Sequence, residues 1–523
     1  MPEKSVIIIG AGLAGLSAGC YARMNGYQTR ILEHHSKPGG VVAGWRRNGF
    51  LIDGGIHYLM DYNPPRATHQ LYTELGILPA NRVQQKDVYL RFLDEPTGKH
   101  TEITRDLDRF ADDLKALSPA DVGIIDDLIS AARAMQGLDM MGIGLSQPSE
   151  LIGWLDKIKQ MWQMRRLLKY LGGKYGGSVR DFVKDVKEPL LKRIIENLFL
   201  PDVPVFFVTM LLACLADGQM GVLDEGSLKF AQSLEKRYRG LGGQIDYSST
   251  VTRIIVEGDR AIGVQLENGR QYTADVVISA ADGQSTIFQM LDGKYVSSRI
   301  LDMYESYGAM APLVGSTPNR RRRTGGHWKI FTPIMMVNFG VAREFKNEPS
   351  INIIALNNPL KIGSRDVGML SLRLFNHSPH FAPPGKTVIQ IMAETDWDYW
   401  HNLRVNNRLQ YDSEKQLVAG QIMERLEVYY PGISAQVEVT DVATPYTMWR
   451  YTHNYKGAFE GWLPTPESFK NPVKMTLPGL DGFYMIGQWV MAGGGVPPCL
   501  YSGKHVAQLL CHKDNKQFVS HKE

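Results

Sequence analysis

Three glycines, Gly10, Gly12 and Gly15, and one acid, Glu33, define the chemistry open to the N-terminal stretch of this 523-residue chain. Glycines at this spacing let main-chain N–H groups close around a pyrophosphate, and a carboxylate shortly downstream can accept hydrogen bonds from ribose hydroxyls. Gly10 allows the tight turn, Gly12 the close approach of backbone to phosphate, and Gly15 the packing of helix on strand. Ala11, Leu13 and Ala14 complete the turn, and His34 follows the acid. Such a site needs elements to hold it. Ser5-Val6-Ile7-Ile8-Ile9 is apolar and mostly β-branched, which predicts a strand, and a helical pattern runs from the turn to about Asn25. Gln28 to Leu32 reads as a second strand, closed by Glu33. Strand, glycine turn, helix, strand and acid form a βαβ unit whose helix N-terminus offers free N–H groups and a positive dipole end to a dinucleotide.

Further glycine turns recur along the chain. Gly39-Gly40 lies just beyond the second strand, and Asn48 to His57 reads as a turn, a strand and another glycine turn at Gly54-Gly55, followed by Ile56. His57 is a candidate acid–base group, because histidine titrates near neutrality. Val276 to Asp282 is a buried strand ending in the small residues Ala280 and Ala281, which would admit a ligand at its carboxyl end. Gly482 to Gln488 is a strand ending at Gly487; Gly493-Gly494-Gly495-Val496-Pro497-Pro498 then precedes a helix from about Cys499 to Leu510. Tyr446, Trp449, Tyr451 and Tyr455 are candidates to line a substrate cavity.

Composition narrows the classes. With 44% hydrophobic and 21% charged residues the chain is an ordinary globular protein, and a net charge of +4 is too mild to argue for nucleic acid. Cys20, Cys214, Cys499 and Cys511 form no CxxC pair, so neither a metal site nor a disulfide framework is expected, and a reducing cytoplasm fits. No window of about eighteen apolar residues predicts a spanning helix, and the apolar run at the N-terminus is too short for a signal peptide.

Residues 90 to 215 carry helical periodicity and read as a helical insert. Within it, Leu198 to Ala216 reads as a buried or membrane-facing segment. Leu151 to Leu171, with Lys157, Lys159, Arg165, Arg166 and Lys169, reads as a core-facing helix with a basic face, or as an amphipathic helix on an anionic membrane. Residues 300 to 465 form a strand-rich insert with candidate strands at Ile334 to Val341, Val388 to Ala393 and Val437 to Val442, a helix from Ser413 to Tyr430, and a basic loop at Arg320 to Arg323. The expected architecture is α/β: a Rossmann-like domain from residues 1–90, 215–300 and 470–523, interleaved with an α+β substrate domain, a mixed sheet plus helical insert, from 91–214 and 301–469.

Together these segments resemble the phytoene desaturase and carotenoid isomerase family of flavoproteins, within the wider amine oxidase-like superfamily. The resemblance covers nearly the whole chain. It is carried by Gly10-x-Gly12-x-x-Gly15 with Glu33, Gly39-Gly40, and Gly49-Phe50-x-x-Asp53-x-Gly55. Leu241-Gly242-Gly243 with Val251, Ala280-Ala281-Asp282, and Thr444-Pro445-x-Thr447 add to it. So does the stretch from Ile486-Gly487 through Gly493-Gly494-Gly495-Val496-Pro497 to Ser502-Gly503-Lys504. Two positions depart from the pattern: Val41 stands where a basic residue is common, and Glu225-Gly226 where a glycine pair is usual.

The resemblance implies FAD rather than NAD. Gly10, Ala11, Gly12, Leu13, Ala14, Gly15, Glu33, His34, Gly39 and Gly40 would hold its ADP half, with the backbone of Val251 on the adenine. Gly487, Gln488, Gly495, Val496 and Pro497 would lie along the ring, with Gly55, Ile56, His57, Ala280 and Ala281 as further contacts. The helix after Gly495 would then aim its dipole at the ring's pyrimidine edge. Cys499, near the ring, reads as a packing residue rather than a covalent attachment. The implied activity is desaturation, saturation or isomerisation of C=C bonds in an apolar isoprenoid, carotenoid-like or fatty acyl substrate, with peripheral membrane association. The alternatives are an amine oxidase-like enzyme and a flavin-bearing membrane-surface factor without turnover.

Overall fold

The computed structural model describes residues 3–165, 167–305 and 328–521, so the Arg320 to Arg323 run lies outside the described residues. Five parallel strands form the sheet that carries the opening motif, in the order Gln244–Asp246, Gln28–Leu32, Ser5–Ile9, Val276–Ser279, Phe483–Met485. Its centre is apolar on both faces: Val6, Ile7, Ile8 and Ile9 are each at most 4% exposed, as a parallel sheet covered on both sides requires. The helices Leu13–Met24 and Val496–Lys513 pack against each other, with the Ser17 hydroxyl donating to the Leu500 carbonyl at 2.7 Å. The second helix begins at Val496, earlier than expected, because Pro497 and Pro498 suit its first turn.

Two glycines set how close these elements come. A Cβ at Gly15 would lie 2.0 Å from the Gly10 carbonyl oxygen, and one at Gly503 would lie 2.5 Å from the Ala18 nitrogen. Helix sits on turn, and helix on helix, at distances that only glycine permits.

An antiparallel ribbon, Val251–Glu257, Arg260–Leu266 and Gln271–Thr273, branches from this body, turning at Gly269 with φ +83°. Two residues after Gln271–Thr273 the chain leaves the ribbon, and Val276–Ser279 joins the parallel sheet.

The second sheet has seven strands in the order Val437–Ala443, Ile334–Val341, Thr387–Glu394, Arg365–Leu374, Ile351–Ile362, Val88–Asp94, Lys99–Thr104. The three strands expected from the sequence lie side by side at one edge. Ile351–Ile362 and Arg365–Leu374 escape sequence reading because Asn357-Asn358-Pro359 interrupts the apolar pattern, where the pairing slips between Ala355 and Leu360. The insert beginning near residue 90 is not wholly helical. It opens with Val88–Asp94, whose Leu90, Phe92 and Asp94 alternate inward at strand period, and with its partner Lys99–Thr104. The Gln390 side chain joins the two bodies, donating from Nε2 to the Asp53 carbonyl at 2.7 Å.

Helices Leu107–Leu117, Val122–Met135, Pro189–Glu196 and Val205–Ala216 share an apolar core, so most of the Leu198 to Ala216 stretch belongs to the interior, with Phe199 exposed. The helix Trp154–Met164 does the opposite: Trp154, Leu155, Ile158 and Trp162 are 71%, 63%, 54% and 63% exposed. For these four side chains the core-facing reading fails, although Leu167, just beyond the helix, is buried in the core. Among the described residues no helix is long and apolar enough to cross a membrane.

The glycine contacts make a direct test. Gly15→Ala and Gly503→Ala should each lower the urea midpoint by the equivalent of about 1–3 kcal/mol, because an added methyl overpacks a contact that cannot open. Unchanged midpoints would show that these interfaces yield.

Candidate functional site

The opening turn is built as its sequence implies. The Gly10 N–H donates to the Leu32 carbonyl at 2.8 Å, and its φ of +97° turns the chain from strand to helix. A Cβ at Gly12 would meet nothing within 4 Å, which leaves open space beside the main-chain N–H groups of the first helical turn. Gly39-Gly40 lies alongside: the Gly39 N–H donates to the Ala11 carbonyl at 2.9 Å, and a Cβ at Gly40 would be 3.5 Å from the Gly12 Cα.

The Glu33 carboxylate is buried and accepts from the Ala11 N–H at 2.5 Å and the His35 N–H at 2.7 Å. It thus ties the end of its strand to the phosphate turn. Burial raises its carboxyl above the usual range, and these two hydrogen bonds pull it back. A carboxylate has lone pairs beyond two, so it keeps capacity for ribose hydroxyls. The segment before Val251 packs here too. The Ser249 N–H donates to the Glu33 carbonyl at 2.8 Å, and His34 Nδ1 pairs with the Thr250 hydroxyl at 2.8 Å. Turn, acid and Val251 strand therefore converge, as an ADP site demands.

The closing glycines meet the opening ones. A Cβ at Gly487 would lie 3.3 Å from the Ala14 Cβ, and the Gly487 N–H donates to the buried Ser502 hydroxyl at 2.9 Å. Ala280 is at the same edge, its N–H donating to the Ile9 carbonyl at 2.9 Å, with Ala281 next to it. Gly493, Gly494 and Gly495 all have positive φ, and Gly495 caps the helix Val496–Lys513 without a side-chain cap. A Cβ at Gly495 would again meet nothing within 4 Å. The Gln488 carbonyl accepts from the Trp462 N–H at 3.3 Å, and Gly461 is where that strand comes closest, since its Cβ would sit 2.2 Å from the Gln488 oxygen. Burial pushes the Cys499 thiol up to about 12, so it packs as a thiol. Open space along main-chain N–H groups at both ends fits an extended, phosphate-linked dinucleotide.

The third glycine turn is held by buried polar groups that sequence reasoning missed. Asp53 accepts from the Ser227 N–H at 3.0 Å and the Gly55 N–H at 3.3 Å, while the Ser227 hydroxyl accepts from the Ile56 N–H at 2.7 Å. Burial pushes the Asp53 carboxyl up to about 6. His57 lines a cavity with Arg373, His377, Phe381 and Leu223. Burial, and then the Arg373 guanidinium, hold its imidazole well below the usual histidine range, so near neutrality it stays neutral and resists protonation. Arg373 and Ser227 belong to elements remote in sequence, and only the fold makes them neighbours.

The four aromatic candidates divide. Tyr446 stacks on Trp397, Trp449 packs tilted against both, and the run of rings continues through His453, stacked on Trp449, to His34, at 3.8 Å between imidazole centres. It ends beside Glu33 and the opening glycine turn. Tyr451 is 44% exposed, and Tyr455 lies edge-on to Trp489. Among the described residues no group of His, Cys, Asp and Glu could hold a metal ion.

Residues 8–75 match the NAD(P)-binding Rossmann-like domain family. The chain is 24% identical to the chloroplastic prolycopene isomerase of Arabidopsis thaliana over 513 residues, covering 95% of this chain and 81% of that protein. It is 23% identical over 522 residues to the lycopene-forming phytoene desaturase of Pseudescherichia vulneris, covering 97% and 99%. Among solved structures, an oxidoreductase from Methanosarcina mazei matches with a TM-score of 0.56 at 17% identity, covering 96% of this chain and 100% of that one. Wild-type putrescine oxidase bound to putrescine matches with a TM-score of 0.56 at 14% identity, covering 98% and 99%. Along nearly its whole sequence this chain is similar to prolycopene isomerases and phytoene desaturases, and in its fold to putrescine oxidase.

Proposed function

We propose that the protein is an FAD-dependent oxidoreductase acting on carbon–carbon double bonds of an apolar isoprenoid or related lipid, as a desaturase, saturase or isomerase. The observation that carries this reading is the meeting of the opening and closing glycine clusters at Ala14 and Gly487. A nicotinamide dinucleotide needs the opening turn and the acid; a ring laid along a second glycine turn and a second helix N-terminus needs both. Bound FAD supplies hydride or electron transfer at N5 of its ring.

The chain does the rest. Main-chain N–H groups at Gly12 to Gly15 and at Gly40 would hold the pyrophosphate, with Gly10, Ala11 and Gly39 shaping the turn; Glu33 would hold the ribose and the Val251 backbone the adenine. Gly487, Gln488, Gly495, Val496 and Pro497 line the ring, and the N-terminus of Val496–Lys513 favours negative charge there. Ala280 and Ala281 leave room beside it, and Gly55 and Ile56 close the other side. His57, held neutral, adds no charge beside it.

The substrate class follows from apolar surface. Phe199 and Phe469 are 36% and 43% exposed, and pack with Phe206 and Phe207. The Phe207 ring would lie 3.8 Å from a Cβ at Gly493. A run of aromatics therefore links the surface to the turn assigned to the ring. The helix Trp154–Met164 presents its exposed tryptophans beside Lys157, with the Arg165 guanidinium 3.8 Å over the Trp162 ring. Apolar side chains rimmed by cations suit an anionic bilayer surface, from which a lipid-dissolved substrate would enter.

Three outcomes are expected. The purified protein, alone or after FAD addition, shows a flavin absorption spectrum, and Glu33→Ala weakens FAD binding by about 1.5–3 kcal/mol, read by flavin fluorescence quenching; a protein that takes up no FAD overturns the cofactor. Flavin-reduced protein isomerises or saturates prolycopene carried in liposomes, or protein with oxidised flavin and an added quinone as electron acceptor desaturates phytoene; peroxide release from putrescine by the oxidised protein in air, with both polyenes untouched, transfers the protein to amine oxidation. Trp154→Ser with Trp162→Ser reduces co-sedimentation with phosphatidylglycerol vesicles at least several-fold, and binding by the parent protein falls as salt rises; equal sedimentation removes this helix from the membrane face.

A further inference from the structure

Glu460 is an acid that neither the motifs nor the preceding mechanism uses. It stands in the segment that runs beside the closing turn, where the Gly493 N–H donates to the Trp462 carbonyl at 3.0 Å and the Trp462 N–H to the Gln488 carbonyl. Its side chain lies against that turn: a Cβ at Gly494 would be 2.9 Å from Glu460 Oε2. At the adjacent residue, Gly495, a Cβ would meet nothing within 4 Å. Among the described residues Glu460 makes no hydrogen bond and no ion pair, although part of its surface stays accessible. An unpaired carboxyl in protein surroundings is costly as a carboxylate and is retained where it has work to do.

We propose that Glu460 is the proton-transferring acid of this site, delivering a proton from its carboxyl to a carbon of a substrate double bond held over the Gly493–Gly495 turn, and recovering it there. The inference deepens the proposed function and rests on that turn facing the flavin ring. In isomerisation the step balances without net redox change. The Glu460 O–H bond and the π bond break, a C–H bond forms, and positive charge spreads along the conjugated chain opposite the new carboxylate. Rotation follows about what is now a single bond. Return of a proton from the same carbon to Glu460 restores the double bond and the acid.

The electrostatics agree with this role. Burial alone pushes the Glu460 carboxyl up to about 8, so at neutral pH it holds its proton. The titratable group facing it from the helix Val496–Lys513 is Cys499, whose thiol stays protonated until about 12 and so does not compete as an ion. His57, by contrast, is held neutral and cannot donate. The acid form of Glu460 is present below its raised pKa and is lost above it, so a step that needs the acid fails on the alkaline side.

FAD-loaded parent protein and the Glu460→Gln variant are titrated from about pH 6 to 10 by visible absorbance, and both are given prolycopene in liposomes made up in D₂O. The parent flavin band should shift with a midpoint near 8, and Glu460→Gln should keep its FAD but lose the shift. The parent should place solvent deuterium at vinyl carbons, and Glu460→Gln should lower both incorporation and turnover by about 10²- to 10⁴-fold. A parent flavin band that does not move across this range, or Glu460→Gln turnover equal to the parent's, overturns the role of Glu460. Failure of the parent to bind FAD overturns the cofactor reading, and failure to act on prolycopene overturns that substrate while the spectral titration still decides where Glu460 lies.

Discussion

Close approach of backbone to backbone is the constraint on which this molecule depends. Gly15 admits the carbonyl of Gly10, Gly503 admits the helix that begins at Leu13, and Gly487 stands against Ala14. Segments from opposite ends of the chain thereby share one surface, with no side chain filling the gap at Gly12 or Gly495. The conformational entropy of so many glycines is a cost borne by every such site. It is offset by an apolar core that runs without a break from Val6 through Leu500 to Ile486.

Around that backbone cradle, carboxylates are held in three distinct environments. Glu33 is buried but receives two main-chain hydrogen bonds, so it braces the turn and can still serve a ribose. Asp53 is equally buried and fully engaged with Ser227 and Gly55, which makes it a fastener between the third glycine turn and the helix Gly226–Gly240. Glu460 has neither kind of support. Burial raises all three, and their hydrogen-bond partners separate them: a braced carboxylate is structural, an unbraced one is poised to change its protonation state.

The part of this arrangement that was legible in the sequence is the part governed by local spacing. A glycine triplet fixed to a β-branched strand announces a turn, and an acid at the end of the next strand announces its partner. The central strands of the parallel sheet are continuous apolar runs and read cleanly. What remained hidden depends on register between distant segments. Arg373 reaches His57 only because the strand Arg365–Leu374 was routed across the glycine turns, and that strand was itself obscured by the irregularity of its partner. Glu460 carries no local signature, since a lone acid in a loop reads as solvated. Helical periodicity in Leu151 to Leu171 left open a core-facing or a membrane-facing helix, because periodicity says only that one face is apolar, not what covers it.

That helix bears on the chemistry in one further way. A water-soluble substrate would give no reason to leave two tryptophans and two aliphatic side chains uncovered, when the neighbouring helices bury theirs. A substrate dissolved in a bilayer does, because the enzyme must then sit where the substrate is concentrated and offer it a route that never crosses water. The aromatic run from Phe199 through Phe207 to the Gly493 turn has that character. It ends where hydride chemistry and an unpaired acid would operate together, in surroundings dry enough to make each effective. The partial burial that holds the proton on Glu460 would also favour a charge-poor, apolar substrate over a hydrated one. Substrate greasiness, carboxyl protonation and the exposed helix are thus linked through one preference, for apolar surroundings over water.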